Sequence, residues 1–307
     1  MKYLLLTIFA TNIIFYSFLL LKPNGDSFYF LIAQDNSLSD VFEILEEKEI
    51  FFPKIIKSIF VVTGTDQKIY QGNYQINKED SVYEIFKKIY FGKIVLKKFI
   101  VSEGSQTRNL FSNELLATYC EQEKLMPCNL EGLVMPDTYF FTDRQQLERL
   151  MINQKIRLDN ILTRLWENKP KDNPLKSMNE ALVLASIVER EAAVEWERAQ
   201  ISSVFLSRIR DGWRLDADPT LIYGYYGDFS KKITKENLKA VKGDNNPFNT
   251  YKIKGLPPRP ICYPSLSSIE SVIMSSPGEY FFFVAKGDGT HIFSKTLDEH
   301  NKAVNNR

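Results

Sequence analysis

An uncharged apolar run near the start of the chain constrains everything after it. Tyr3 to Leu21 is nineteen residues long and dominated by Leu, Ile, Phe and Ala; it includes Thr7, Thr11, Asn12, Tyr16 and Ser17 but no charge. A helix of roughly 20 apolar residues spans the hydrocarbon core of a bilayer. A cleavable signal peptide has a shorter apolar stretch, about 7–15 residues, and then a small-x-small site. Here Lys22-Pro23-Asn24-Gly25 follows instead. The run is therefore expected to be an uncleaved transmembrane signal anchor, residues 1–22. Lys2 and Lys22 flank it on either side, so charge bias sets orientation only weakly. The usual outcome is a short N-terminus inside and a large body outside. No second run reaches spanning length, and Tyr280–Ala285 is only strand-sized.

The remaining chain is long enough for one large domain, or for a moderate domain plus a small one. With 44% hydrophobic and 25% charged residues it can bury an ordinary core. A net charge of +1, with no basic stripe, argues against nucleic acid as a partner. Three cysteines (Cys120, Cys128 and Cys262) and two histidines (His291 and His300) occur without C-x-x-C or zinc-ligand spacing, so no metal is expected. Cys120 and Cys128 are either a pair or two free thiols. No P-loop, Rossmann fingerprint, H-E-x-x-H or G-x-S-x-G elbow is present, and no cofactor is expected.

Periodicity predicts an α+β fold. Strands are expected at Phe28–Ala33, Lys68–Ile76 and Val95–Val101. Helices are expected at Ser37–Ile50 and Ser81–Tyr90, the latter with a capping-box pattern from Ser81 and Glu84. Pro53–Val62 fits a helix or a strand. Together these make a small α/β module over residues 26–100. Beyond the Glu103-Gly104-Ser105 boundary a larger mixed α/β domain, residues 101–307, is expected. Its helices are Thr107–Tyr119, Arg144–Asn168 and one long element from Glu180 to Arg210. A loop-rich stretch follows over Asp211–Ser265. A short helix Ser267–Met274, a hairpin of Tyr280–Ala285 with His291–Ser294, and a terminal helix complete it.

Four segments carry candidate chemistry. In the helix from Glu180, residues 181–188 are apolar almost all round, which marks a buried helix. Glu189 and Glu191 then interrupt it, pointing to nearly opposite sides at about 100° per residue. Only one of them can face a given cleft. A carboxyl set against aliphatic neighbours has its pKa raised and so can donate a proton near neutrality. Glu191, over Ile187 and Val188, fits that better than Glu189. The plainer reading is a solvated helix end, with both glutamates paired to neighbouring arginines. Glu131 precedes a Gly and a Pro136-Asp137 turn. Asp218-Pro219 is an ordinary helix start, followed by Tyr223-Gly224-Tyr225-Tyr226. Asn249 and Tyr251 precede a proline-stiffened loop, Leu256 to Pro260. Each of these three also reads as a turn, a cap or a rigid connector.

Taken in order, the segments resemble one family. They are Glu103-Gly104; Leu130-Glu131-Gly132 with Pro136-Asp137-Thr138-Tyr139; Ala185-Ser186-Ile187-Val188-Glu189-Arg190-Glu191; and Asp218-Pro219-Thr220 with Ile222-Tyr223-Gly224. After them come Asn249-Thr250-Tyr251 with Gly255-Leu256-Pro257-Pro258; Tyr280 with Phe283-Val284-Ala285; and His291 with His300-Asn301. The series resembles the YceG-like, endolytic murein transglycosylase family of bacterial inner membranes. The resemblance implies a single-pass anchor, a LysM-like module matching residues 26–100, and a catalytic domain at 101–307 in the periplasm. It implies a lyase that cuts the bond between N-acetylmuramic acid and N-acetylglucosamine in peptidoglycan, leaving a 1,6-anhydro end and terminating nascent strands. Glu191 is the implied acid/base, with Glu189 as fallback. Glu131, Asp218, Tyr223, Asn249 and Tyr251 are the implied sugar contacts, and penicillin-binding-protein synthases the implied partners. Two positions depart from the pattern: Ala192 where Thr is common, and Asp216-Ala217 where Gln-Thr is common. The rival reading is a non-catalytic peptidoglycan-binding adaptor that recruits synthases.

Overall fold

A computed structural model of the chain describes residues 17, 21–33, 35–50, 69–107, 131–142, 144–234 and 236–306. The segments Pro53–Val62 and 108–119, and the pair Cys120 and Cys128, lie outside the described residues, as does the run Tyr3–Leu21 apart from Ser17 and Leu21. No helix among the described residues is long and apolar enough to cross a membrane. The chain divides into two compact units, Met1–Lys98 with Phe140–Leu147, and Phe99–Tyr139 with Glu148–Arg307.

In the first unit, β1 (Phe28–Ile32) and β2 (Gly72–Ile76) pair antiparallel, with Phe30 opposite Tyr74 and Ile32 opposite Gly72. Alternation puts Phe30, Ile32, Tyr74 and Ile76 on the buried face. The helices α1 (Leu38–Glu46) and α2 (Val82–Tyr90) supply the opposing core: Val41, Phe42 and Leu45 from one, Ile85, Phe86 and Ile89 from the other. The full capping box forms at Ser37 and Asp40 on α1. At Ser81 only half of the expected box forms, the Ser81 side chain accepting from the Glu84 N–H, while Glu84 turns to Lys87. Gly92 ends α2 with φ +60°, a conformation costly for residues with a Cβ.

Two further strands, β3 (Lys97–Val101) and β4 (Asp137–Phe141), form a two-stranded sheet. The second unit is built around helices: α3 (Arg144–Glu167), α4 (Met178–Glu191), α5 (Arg198–Arg210), α6 (Asp218–Tyr226), α7 (Leu238–Gly243) and α8 (Leu266–Met274). They are followed by the antiparallel hairpin β5 (Phe282–Ala285) and β6 (His291–Ser294) and by α9 (Leu297–Asn305). The mixture is α+β, as the periodicity predicts.

The axis of this unit is α4. Ser177 caps it, accepting from the Glu180 N–H. Residues 181–188 are all buried, packed by α8, α5 and α6. The one polar member of that stretch, Ser186, has a defined use. Its Oγ donates to the Val183 carbonyl at 2.7 Å and accepts from the Ile261 N–H at 3.0 Å. Ser186→Ala is expected to cost roughly 1–3 kcal/mol, because it orphans a buried N–H. Thermal unfolding reads this out; an unchanged transition would mean that Ile261 finds another acceptor.

The single helix expected from Glu180 to Arg210 is two helices. Ala192 is extended, with φ −81° and ψ 110°, so α4 stops at Glu191. A 3-10 turn, Glu195–Glu197, then starts α5. The break has no local glycine or proline behind it. It is held by the ends of the two glutamates that flank it, Glu189 and Glu197, each bonded to a segment far away in sequence.

Candidate active site

The break leaves Glu191 as the last residue of α4, on the wall of a cleft of about 520 Å³. Arg208 of α5, Asp216, Asp218 at the start of α6 and Tyr251 share that wall. The β5–β6 hairpin and α9 contribute the rest, including Phe282, His291 and His300. In an unbroken helix Glu191 and Arg208 would stand about 25 Å apart along the axis. Breaking the helix at Ala192 lets both reach one cleft.

Glu191 is half-buried, and its pKa is raised from 4.5 to about 8. Loss of hydration is the main cause, and the Asp218 carboxylate adds to it; Arg208 and Arg190 pull weakly the other way. Its place at a helix C-terminus, where the backbone dipole is negative, acts in the same sense as Asp218. The carboxyl therefore stays protonated at neutral pH, poised to donate.

Its surroundings are fixed by long-range bonds. The Tyr251 hydroxyl donates to Asp218 Oδ1 at 2.8 Å, and burial, then Asp218, hold that phenol well above its ordinary pKa. The Lys242 ammonium sits 4.3 Å from the centre of the Tyr251 ring. The Thr220 and Thr250 hydroxyls meet at 2.7 Å, and Thr250 also accepts from the Ala217 N–H, which ties the start of α6 to the Tyr251 loop. Between them Asp216 adopts φ +46°, a left-handed conformation that Asp tolerates better than most residues. Arg208 donates Nε to the Phe281 carbonyl and Nη1 to the Leu215 carbonyl, which locks its guanidinium behind the cleft.

Of the residues singled out in the sequence, Glu191, Asp218 and Tyr251 come together here. The other proposed acid and sugar contacts, Glu189, Glu131, Tyr223 and Asn249, do not line this cleft. Glu189 faces the opposite way, as the helical wheel requires. Its Oε2 accepts from the Ser265 N–H at 3.0 Å, the Ser265 hydroxyl at 2.5 Å and the Ser268 hydroxyl at 2.7 Å, and its Oε1 meets Arg198 at 3.3 Å. Ser265 is the N-cap of α8, so Glu189 pins that helix to α4.

Glu131 is buried, bonded by the Thr107 N–H at 3.1 Å and the Thr107 hydroxyl at 2.6 Å, and burial raises its pKa. Tyr223 is buried against Phe248, 4.9 Å between ring centres. Asn249 is fully buried; its amide donates to the Lys242 and Asp244 carbonyls and its oxygen accepts from the Tyr251 N–H. Glu131 and Tyr223 are core residues away from the cleft lining, and Asn249 sets the turn that presents Tyr251.

Arg208 carries no signal in the sequence, because only the helix break brings it to the cleft. His291 and His300, present in the motif series without an assigned role, also line the cleft, and the only sequence signal for them is that they are the chain's two histidines. Among the described residues no cluster of His, Cys, Asp and Glu is arranged to hold a metal ion.

Comparison with known proteins agrees with this picture. The YceG-like family model matches residues 30–306. The chain is 34% identical to an endolytic murein transglycosylase of Bacillus subtilis over 57% of its own length and 47% of that protein's. It is 29% identical to an endolytic murein transglycosylase of Streptococcus pneumoniae over 57% of its own length and 32% of that protein's. The match thus spans half or less of the curated relatives. A crystal structure of a YceG-like protein from Listeria monocytogenes superposes with a TM-score of 0.54 at 27% identity, covering 91% of this chain and 99% of that one. With nearly its whole length matched by the family model, the chain belongs to the YceG-like family.

Proposed function

We propose that this protein is an endolytic peptidoglycan lytic transglycosylase with Glu191 as its acid/base. One observation carries the reading: a half-buried carboxyl with a pKa of about 8 stands on the wall of the cleft. The names of the Bacillus and Streptococcus relatives supply the substrate class. In the reaction, Glu191 protonates the glycosidic oxygen between N-acetylmuramic acid and N-acetylglucosamine. The carboxylate so formed takes the proton of the muramyl C6 hydroxyl as its oxygen closes on C1 and the glycosidic bond breaks. Glu191 regains its proton, the product ends in a 1,6-anhydro sugar, and no water is consumed. Such a cycle needs a carboxyl that is protonated at the outset. The run Tyr3–Leu21 is proposed to anchor the protein in the bacterial inner membrane, with residues 101–307 as a catalytic domain in the periplasm and penicillin-binding-protein synthases as partners. Residues 26–100 are proposed as a LysM-like glycan-binding module, which the helices packed on the β1–β2 pair support.

A hydrolase is the second reading, favoured by Asp216 and Asp218 in the same cleft, since hydrolytic glycosidases use two carboxylates. Mass spectrometry of products from purified sacculi separates the cases. Anhydro ends support the transglycosylase, reducing ends the hydrolase, and binding without cleavage an adaptor. Asp218→Asn removes a charge that raises the Glu191 pKa. The alkaline limb of kcat/KM is therefore expected to move to lower pH, a shift that a pH–rate profile measures.

A further inference from the structure

Two residues that this chemistry leaves unused meet at the same cleft. Glu197, in the turn between α4 and α5, is fully buried. Both of its oxygens engage one residue: Oε1 accepts from the His291 N–H at 2.9 Å, and Oε2 lies 2.7 Å from His291 Nδ1. His291 opens β6 and lines the cleft beside Glu191; its side chain keeps 10% of its surface exposed against 1% for Glu197. The Phe283 ring meets the imidazole edge-on at 5.3 Å and helps fix its plane. A buried carboxylate is costly unless paired, and an apolar side chain would hold a hairpin more cheaply. What a carboxylate at Nδ1 adds is control of the tautomer. It accepts a hydrogen bond from Nδ1–H, so that in the neutral ring the lone pair lies on Nε2. Among the described residues no protein group bonds Nε2. Alongside it on the cleft wall, the His300 ring stacks on Phe282 at 5.3 Å and 28°.

We propose that His291 is a substrate-binding residue, its ring locked by Glu197, with Nε2 accepting a hydrogen bond from a hydroxyl or amide N–H of an N-acetylated sugar. The Phe282–His300 stack is the apolar floor against which that sugar rests. A pyranose offers an apolar C–H face and a rim of donors, and an aromatic surface beside one placed acceptor matches both. The assignment deepens the glycan-cleaving function proposed above and rests on it for the substrate class. It gives the imidazole recognition, not proton transfer.

The chain's two histidines make the test clean. In full-length protein labelled with ring-¹⁵N histidine, and with His300→Gln to assign the signals, His291 is expected in its Nδ1–H form. Its Nε2 resonance is expected to move when chitotetraose is added. Glu197→Gln presents an N–H to Nδ1 and is expected to flip the tautomer. On peptidoglycan strands, His291→Ala is expected to raise KM about 10-fold, the worth of one hydrogen bond, with kcat changed by less than a factor of about two; His291→Gln, which keeps an acceptor, is expected to recover part of the loss. An Nε2 resonance that ignores the saccharide overturns the proposal, as does an unchanged KM in His291→Ala. If wild-type protein leaves strands uncut while the saccharide moves Nε2, the transglycosylase reading fails and the binding residue stands. If strands are cut with Nε2 unmoved, the reverse holds.

Discussion

Glu191→Gln is expected to abolish glycan cleavage and, at the same time, to make the fold more stable at neutral pH. Loss of a general acid costs about 10²–10⁴-fold in rate, read as the yield of anhydro ends per unit time from sacculi. The stability gain follows from the carboxyl's titration. Its pKa is about 8 in the folded protein against 4.5 as a free group. Between those values the folded state keeps a proton that the unfolded chain has released, so folding is penalised increasingly as pH rises through that window. Below 4.5 both states hold the proton and the penalty is absent. A glutamine is never charged and escapes it. The variant should therefore be more stable than wild type by roughly 3 kcal/mol at pH 7 and equal to it at pH 4. Denaturant midpoints at the two pH values measure the difference. A variant that still releases anhydro ends at the wild-type rate would sink the acid/base assignment. One equally stable at both pH values would mean that the cleft hydrates the carboxyl fully.

Glu189→Ala should do the reverse, losing the fold more than the chemistry. The change removes the acceptor for three donors at the start of α8 and leaves the nearly buried Arg198 without its 3.3 Å partner. Breaking a buried pair in this way costs about 3–5 kcal/mol, most of it from the stranded charge. Thermal unfolding should show a large drop in Tm. Protein that does fold, kept cold, should cut peptidoglycan within a small factor of wild type. A stable but inactive Glu189→Ala protein would instead restore Glu189 as the acid. The two glutamates are thus expected to divide into one whose loss silences the cleft and one whose loss loosens α8.

Much of this division was legible in the chain. The apolar octet 181–188 announced a buried helix, and it is buried on every side. The two-residue spacing of Glu189 and Glu191 guaranteed opposite faces, since helical rotation is a local property. The β1, β2, α1 and α2 elements followed from alternation and capping, which act within a few residues. The end of α4 was not legible. Ala192-Ala193 has good helix propensity, and nothing within a turn of it forces the extended conformation seen at Ala192. The sugar-contact candidates were legible only as a group. Asp218 and Tyr251 reached the cleft, while Glu131, Tyr223 and Asn249 were buried outside its lining, because burial is settled by neighbours that periodicity does not name.

What the sequence determined by itself was therefore the set of elements and the pair of acids at the end of the central helix. Those depend on the intrinsic pitch of a helix and on local hydrophobic pattern. Which acid faces the cleft, and what surrounds it, was decided by the tertiary structure. Glu189 is claimed by Ser265, 76 residues on, and Glu197 by His291, 94 residues on. Asp218 meets Tyr251 across 33 residues. Bonds of that span form only once the core has packed, and it is the packed core that withholds water from Glu191 and raises its pKa.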